Sequence, residues 1–165
     1  MTVREIRLFG DPILRSTADP VTRFDQSVVS LVNDLVDTVT IAGRAGVAAN
    51  QIGVGLRAFS VNIDGDVSYV INPVLDEVRG DPVLTDEGCL SVPGYTFPRS
   101  RYPWARVSGV DVNGDPVVIE GGGLLAQAIQ HEVDHLNGLL YIEGLDPDVK
   151  RLAMREIRAA GWFRA

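Results

Sequence analysis

At 165 residues, with 45% hydrophobic and 22% charged residues, the chain has the composition of a folded globular protein and the length of one domain spanning 1–165, which excludes a disordered polar segment. A net charge of −7 excludes a general nucleic-acid binder, which needs a basic field, and sequence-specific nucleic-acid recognition is not expected either. The apolar runs are too short to cross a bilayer, and residues 1–10 lack the unbroken apolar stretch of a secretory signal, so a cytoplasmic protein with no membrane partner is expected.

In chain order, Asp11–Pro12 and Asp19–Pro20 punctuate an irregular N-terminal arm. Asp25 is placed to cap a helix over 25–42, because Val28, Leu31, Val32, Leu35, Val36 and Val39 recur at helical spacing. Phe24 and Val29 stand where a hydrophobic staple would close its start. Two short β-rich stretches, Leu56–Asn62 and Val67–Asn72, are joined by Asp64–Gly65 as a hairpin. The Pro- and Gly-rich stretch from Leu84 to Tyr102 is predicted to be irregular. A second hairpin, Ala105–Val112 with Pro116–Ile119, turns at Asn113–Gly114.

A second helix is predicted over 122–137 and ended by Gly138. Its apolar residues cover much of its circumference, so it belongs at the centre of the domain. A last helix starts at Asp146 with Pro147 in the first position. Its apolar stripe is Val149, Leu152, Ala153, Ile157 and Ala160; Lys150, Arg151, Arg155 and Arg158 lie off it. The order of helix, strands, helix, helix predicts an α+β fold.

The only two histidines, His131 and His135, are four apart on the central helix, so both imidazoles leave one face and converge on one ion. Glu132 lies beside them, where a general base for an activated water has to be. Burying His131, Glu132, Asp134 and His135 without a functional return would be costly. A catalytic site of this kind takes three protein ligands and one open position. Two residues are candidates for the third. Cys89, the only cysteine, follows a glycine that lets the backbone approach closely, and it is favoured. Glu156, on the following helix, would instead make a metallopeptidase with His131 and His135. Its neighbours Arg155 and Arg158 suit a solvated helix face.

Three stretches together resemble the peptide deformylase family: Gly46-Val47-Ala48-Ala49-Asn50-Gln51, Glu87-Gly88-Cys89-Leu90-Ser91, and Gln130-His131-Glu132-Val133-Asp134-His135-Leu136-Asn137-Gly138. The resemblance covers nearly the whole chain. It implies antiparallel β-sheets packed around the helix that carries the His-Glu-x-x-His motif, plus a C-terminal helix. It implies an enzyme that removes the formyl group from the N-terminal formyl-methionine of new polypeptides and releases formate. One divalent ion is implied on Cys89, His131 and His135. Fe(II) is the typical ion, with Zn(II), Ni(II) and Co(II) able to take its place. Glu132 is the implied proton carrier; the Gln51 amide and the Leu90 N–H stabilise the oxyanion. Glu87 is expected to pair with Arg99 or Arg101. Gly46 and Val47 offer main chain to an extended peptide, and Leu124 lines the methionine pocket or packs in the core.

Two residues depart from the family pattern. Arg44 stands where a glycine is usual, and Gln127 where an apolar pocket residue is usual. A non-catalytic metal protein that keeps the fold is a rival reading, against which Glu132 argues, since a structural site needs no base. The basic face of the last helix suits contact with the ribosome and suits simple solvation equally well.

Overall fold

The structure, a computed structural model, describes residues 2–163. Helix α1 (Gln26–Val39) begins where the Asp25 carboxylate accepts from the Ser27 N–H. It ends at Thr40, short of the predicted 42, where the Thr40 hydroxyl donates to the Val36 carbonyl and competes for the helix's own acceptor. Phe24 is 42% exposed and does not close the helix start as a staple residue should.

Five strands form one antiparallel sheet in the order β1-β2-β3-β6-β7: β1 (Gly46–Ala48), β2 (Ala58–Ile63), β3 (Asp66–Arg79), β6 (Trp104–Val110) and β7 (Pro116–Gly122). The sheet's first strands are covered on both sides, which explains why β2 reads as a run rather than an alternation. Ala58 packs with α1, and the Ser60 hydroxyl donates to the Leu35 carbonyl. On the opposite face Phe59 and Val61 meet the central helix α2 (Gly123–Leu136) through Ala128, Ile129, Val133 and Leu136. Strand β3 runs past its predicted end at Asn72. Pro73 has no N–H for the ladder, and the pairing with β6 shifts register between Ile71 and Val74, with Asn72 at φ 52°.

The stretch predicted to be irregular is only partly so. Strands β4 (Val83–Gly88) and β5 (Thr96–Arg101) pair as a separate two-stranded sheet, and only residues 89–95 between them are irregular. A third apolar cluster joins β5 to the C-terminal part through Phe97, Leu140, Tyr141, Ile142, Ala153 and Ile157. Its last element is α3 (Pro147–Ala159), capped by Asp146, whose side chain accepts from the Asp148 N–H. Gly138, at φ 75°, ends α2 against the Arg15 carbonyl, which would lie 2.7 Å from a β-carbon there. Among the described residues no helix is long and apolar enough to cross a membrane.

Candidate active site

The site lies where α2, the edge strand β1 and the segment after β4 meet. His131 and His135 leave one face of α2 as their spacing requires, and their Nε2 atoms are 3.1 Å apart. Residues 89–91 curl back at the end of β4, bringing Cys89 Sγ to 3.2 Å from His135 Nε2. The three ligand atoms all lie within 4.8 Å of one another, the only such group of metal-binding side chains among the described residues. Glu156 is not part of it; its carbonyl accepts from the Tyr95 hydroxyl.

The donor set fits a divalent ion. One thiol and two imidazole nitrogens come together, donor types that would hold such an ion. The orientation of His131 suits a ligand, because its Nδ1 donates to Glu87 Oε1 at 2.7 Å and leaves Nε2 toward the group. Burial presses both imidazoles toward the neutral form. For His131 the Cys89 sulfur and Glu87 outweigh this and hold it well above its usual value, whereas burial and the neighbouring His131 hold His135 well below. Asn50 fixes the end of this helical turn, its side-chain N–H donating to the His135 carbonyl at 2.5 Å.

Of the two arginines proposed for Glu87, the structure selects Arg101. Its Nε and Nη2 form a fork on Glu87 at 2.8 and 2.6 Å, and its Nη1 reaches Asp134 at 2.6 Å. Arg99 instead donates to the Gly144 carbonyl. Burial would raise the Glu87 carboxyl, but the bonds from Arg101 and His131 lower it to about 2, so it stays an ionised acceptor. Glu132 is the opposite case. Burial, reinforced by Glu87 and Asp134 against the opposing pull of His131 and Arg101, raises it to about 7, and its Oε2 is buried with no hydrogen-bond partner. A carboxylate of that kind exchanges a proton near neutral pH.

Gly46 is required by Glu132. A β-carbon on Gly46 would lie 2.8 Å from Glu132 Cδ and closer still to its Oε1. The pairing with β2 also decides what β1 can offer. Asn62 N–H donates to the Ala45 carbonyl, and Gly46 faces Val61, Val47 faces Ser60. In such a ladder alternate residues point their polar groups at the neighbour, so Val47 bonds to β2 and Gly46 turns its N–H and C=O to the free edge. Of the two residues expected to offer main chain, Gly46 does so; the Val47 side chain is fully buried in the core.

The Gln51 side chain accepts from Ala48 N–H at 2.9 Å and points its Nε2 at Ser91 Oγ (3.2 Å) and Cys89 Sγ (3.6 Å). Gly46, Gln51, Cys89, Leu90, Leu124, His131 and Glu132 line one pocket of about 630 Å³. Leu124 is 51% exposed there, which rules out core packing as its role. Arg44 lines the mouth, with Nη1 donating to the Thr38 carbonyl, and Gln127 bonds the Asp86 carbonyl from the wall. Ser91 and Asp134 lie inside the family motifs but were not singled out from the sequence as partners of Gln51 and Arg101, because which side chains meet across the fold is not written in a motif.

A sequence profile of the polypeptide deformylase family matches residues 3–151. The chain belongs to the polypeptide deformylase family. A relative from Acidothermus cellulolyticus named peptide deformylase is 50% identical over 162 residues, covering 98% of this chain and 89% of that one. Peptide deformylase 1 of Corynebacterium glutamicum is 47% identical, with 99% of each chain covered. Among solved structures, a Legionella pneumophila peptide deformylase superposes with a TM-score of 0.88 at 38% identity over 96% of this chain and 95% of that one. The Ehrlichia chaffeensis enzyme in complex with actinonin gives 0.88 at 32% identity, covering 99% and 100%. The chain is thus a hydrolase with the deformylase fold, and the family's activity is removal of the formyl group from N-formylmethionine.

Proposed function

We propose that the whole chain acts as one cytoplasmic catalytic domain that deformylates the N-terminal formyl-methionine of newly made polypeptides. One observation carries this reading: the Cys89–His131–His135 cluster stands beside a buried, unpartnered Glu132 carboxylate and the outward-turned main chain of Gly46. A divalent ion on those three side chains, Fe(II) by the family's habit, supplies Lewis acidity and lowers the pKa of the attacking water. Glu132 takes the proton from that water and returns it to the departing amine. Gln51 Nε2, which points at Cys89 Sγ, and the Leu90 N–H would stabilise the charge that develops on the formyl oxygen. Glu87, held by Arg101, keeps His131 in the tautomer that frees Nε2. Gly46 aligns the peptide as an added strand, and Leu124 lies against the methionine side chain.

A formyl carbon carries only hydrogen, and Glu132 stands so close to Gly46 that even a β-carbon there would clash with it. The enzyme is expected to turn over formyl-Met peptides and to reject acetyl-Met peptides; comparable rates on both would contradict this. The bound nascent chain is presented at the ribosome, and the basic residues of α3 suit contact there. Neutralising Lys150, Arg151, Arg155 and Arg158 together is expected to weaken co-sedimentation with ribosomes at low salt. Unchanged co-sedimentation leaves these residues as a solvated face.

A further inference from the structure

We infer that Arg44 makes this enzyme favour formyl-methionyl peptides with an acidic side chain at the second or third residue; the inference rests on the deformylase reading above. The free edge of β1 has only one open direction. Beyond Ala48 the chain turns into the helical turn Ala49–Ile52, and the Ala48 N–H, which also faces the edge, is already taken by Gln51 Oε1. A peptide whose formyl group sits at Glu132, over Gly46, therefore runs from Gly46 toward Arg44. Arg44 lies two residues upstream, just before β1 and at most about 7 Å from Gly46 along the chain, which is level with the second or third residue of the substrate.

Arg44 is the one arginine lining this pocket. No carboxylate pairs with it among the described residues, whereas the buried Arg101 is committed to Glu87 and Asp134. Its single hydrogen bond, from Nη1 to the Thr38 carbonyl, anchors the guanidinium without neutralising it, and its other donors remain for a ligand. The acidic residues in the lining are Asp86, Glu87 and Glu132. Glu87 is neutralised by Arg101, Glu132 belongs to the reaction, and Asp86 sits in β4 on the far wall. A net charge of −7 would otherwise disfavour acidic peptides, so this local cation reverses the order at one point of the track. The family's usual glycine at this position leaves main chain only.

The test compares kcat/KM for formyl-Met-Ala-X-amide and formyl-Met-X-Ala-amide with X as Glu, Gln or Lys, in the parent enzyme, Arg44→Gly and Arg44→Glu. A partly exposed pair is worth about a two- to fivefold preference for Glu over Lys at low ionic strength, shrinking with added salt. The preference is expected at one of the two positions in the parent, to fall toward unity in Arg44→Gly, and to invert in Arg44→Glu. Equal rates for Glu and Lys in the parent, or a preference that survives Arg44→Gly, would overturn the inference. In either case turnover of the Gln peptides leaves the deformylase reading standing. Failure of the parent to release formate from any of these peptides would instead refute that reading.

Discussion

At the scale of single residues, the proposed reaction divides the site into groups that would hold an ion and one that would move a proton. Cys89, His131 and His135 form the cluster that could hold the ion, and beside them Glu132 has a buried carboxylate oxygen with no partner. Replacing Cys89 by Ala should abolish stoichiometric metal, measured by elemental analysis of the purified protein, while Glu156→Ala should retain it. The reverse pattern would move the third ligand to α3. Replacing Gln51 by Ala removes one oxyanion donor without touching a ligand, so kcat should fall by about 10²–10³ with metal content unchanged. That Cys89, His131 and His135 come together was legible because the residue types are rare in the chain: two histidines and one cysteine leave few ways to build such a cluster. Glu87's choice between two arginines was not legible. Arg99 and Arg101 point the same way from β5, and only the tertiary path of Arg99 to the Gly144 carbonyl decides between them.

At the scale of elements, the helices announce themselves by caps and stripes, and β2, β3, β6 and β7 by their turns. The sheet of β4 and β5 does not, for a physical reason. Its inward face carries Glu87, Arg99 and Arg101 beside Phe97, so the apolar alternation that marks a strand is replaced by charges facing an ion-pair network. Pro98 sits in β5 and strengthens the false reading of a loop. Strand β1, three residues long, is too short to show a period, and nothing in the sequence tells that its glycine is cut back to admit Glu132. The network has an energetic signature. Arg101→Met leaves Glu87 and Asp134 buried or half-buried without their cation, and a loss of about 3–5 kcal/mol is expected in denaturant unfolding. Replacing Glu87 by Gln together with Arg101→Met should cost less than Arg101→Met alone, because no uncompensated charge then remains at that position. A larger loss in the double variant would exclude the network as described.

For the whole molecule, the three residues proposed to hold the ion come from two separate parts of the chain, the end of β4 and α2, so an ion bound there would tie the two-stranded sheet to the central helix. Anything that binds the folded state alone stabilises it by mass action. Removing the ion with a chelator should therefore lower the thermal midpoint as well as abolish activity, and adding back a divalent ion should restore both. A midpoint indifferent to chelation would mean that the ion contributes nothing to the fold. The central claim, that this geometry hydrolyses the formyl–nitrogen bond, is tested most directly by formate release from formyl-Met-Ala. The protein is prepared without oxygen, loaded with Fe(II), and compared with Glu132→Gln at matched metal content. The parent should release formate and free Met-Ala in equal amounts, and the variant should be slower by about 10²–10⁴. No formate from the loaded parent, or an equal rate from the variant, would contradict the account.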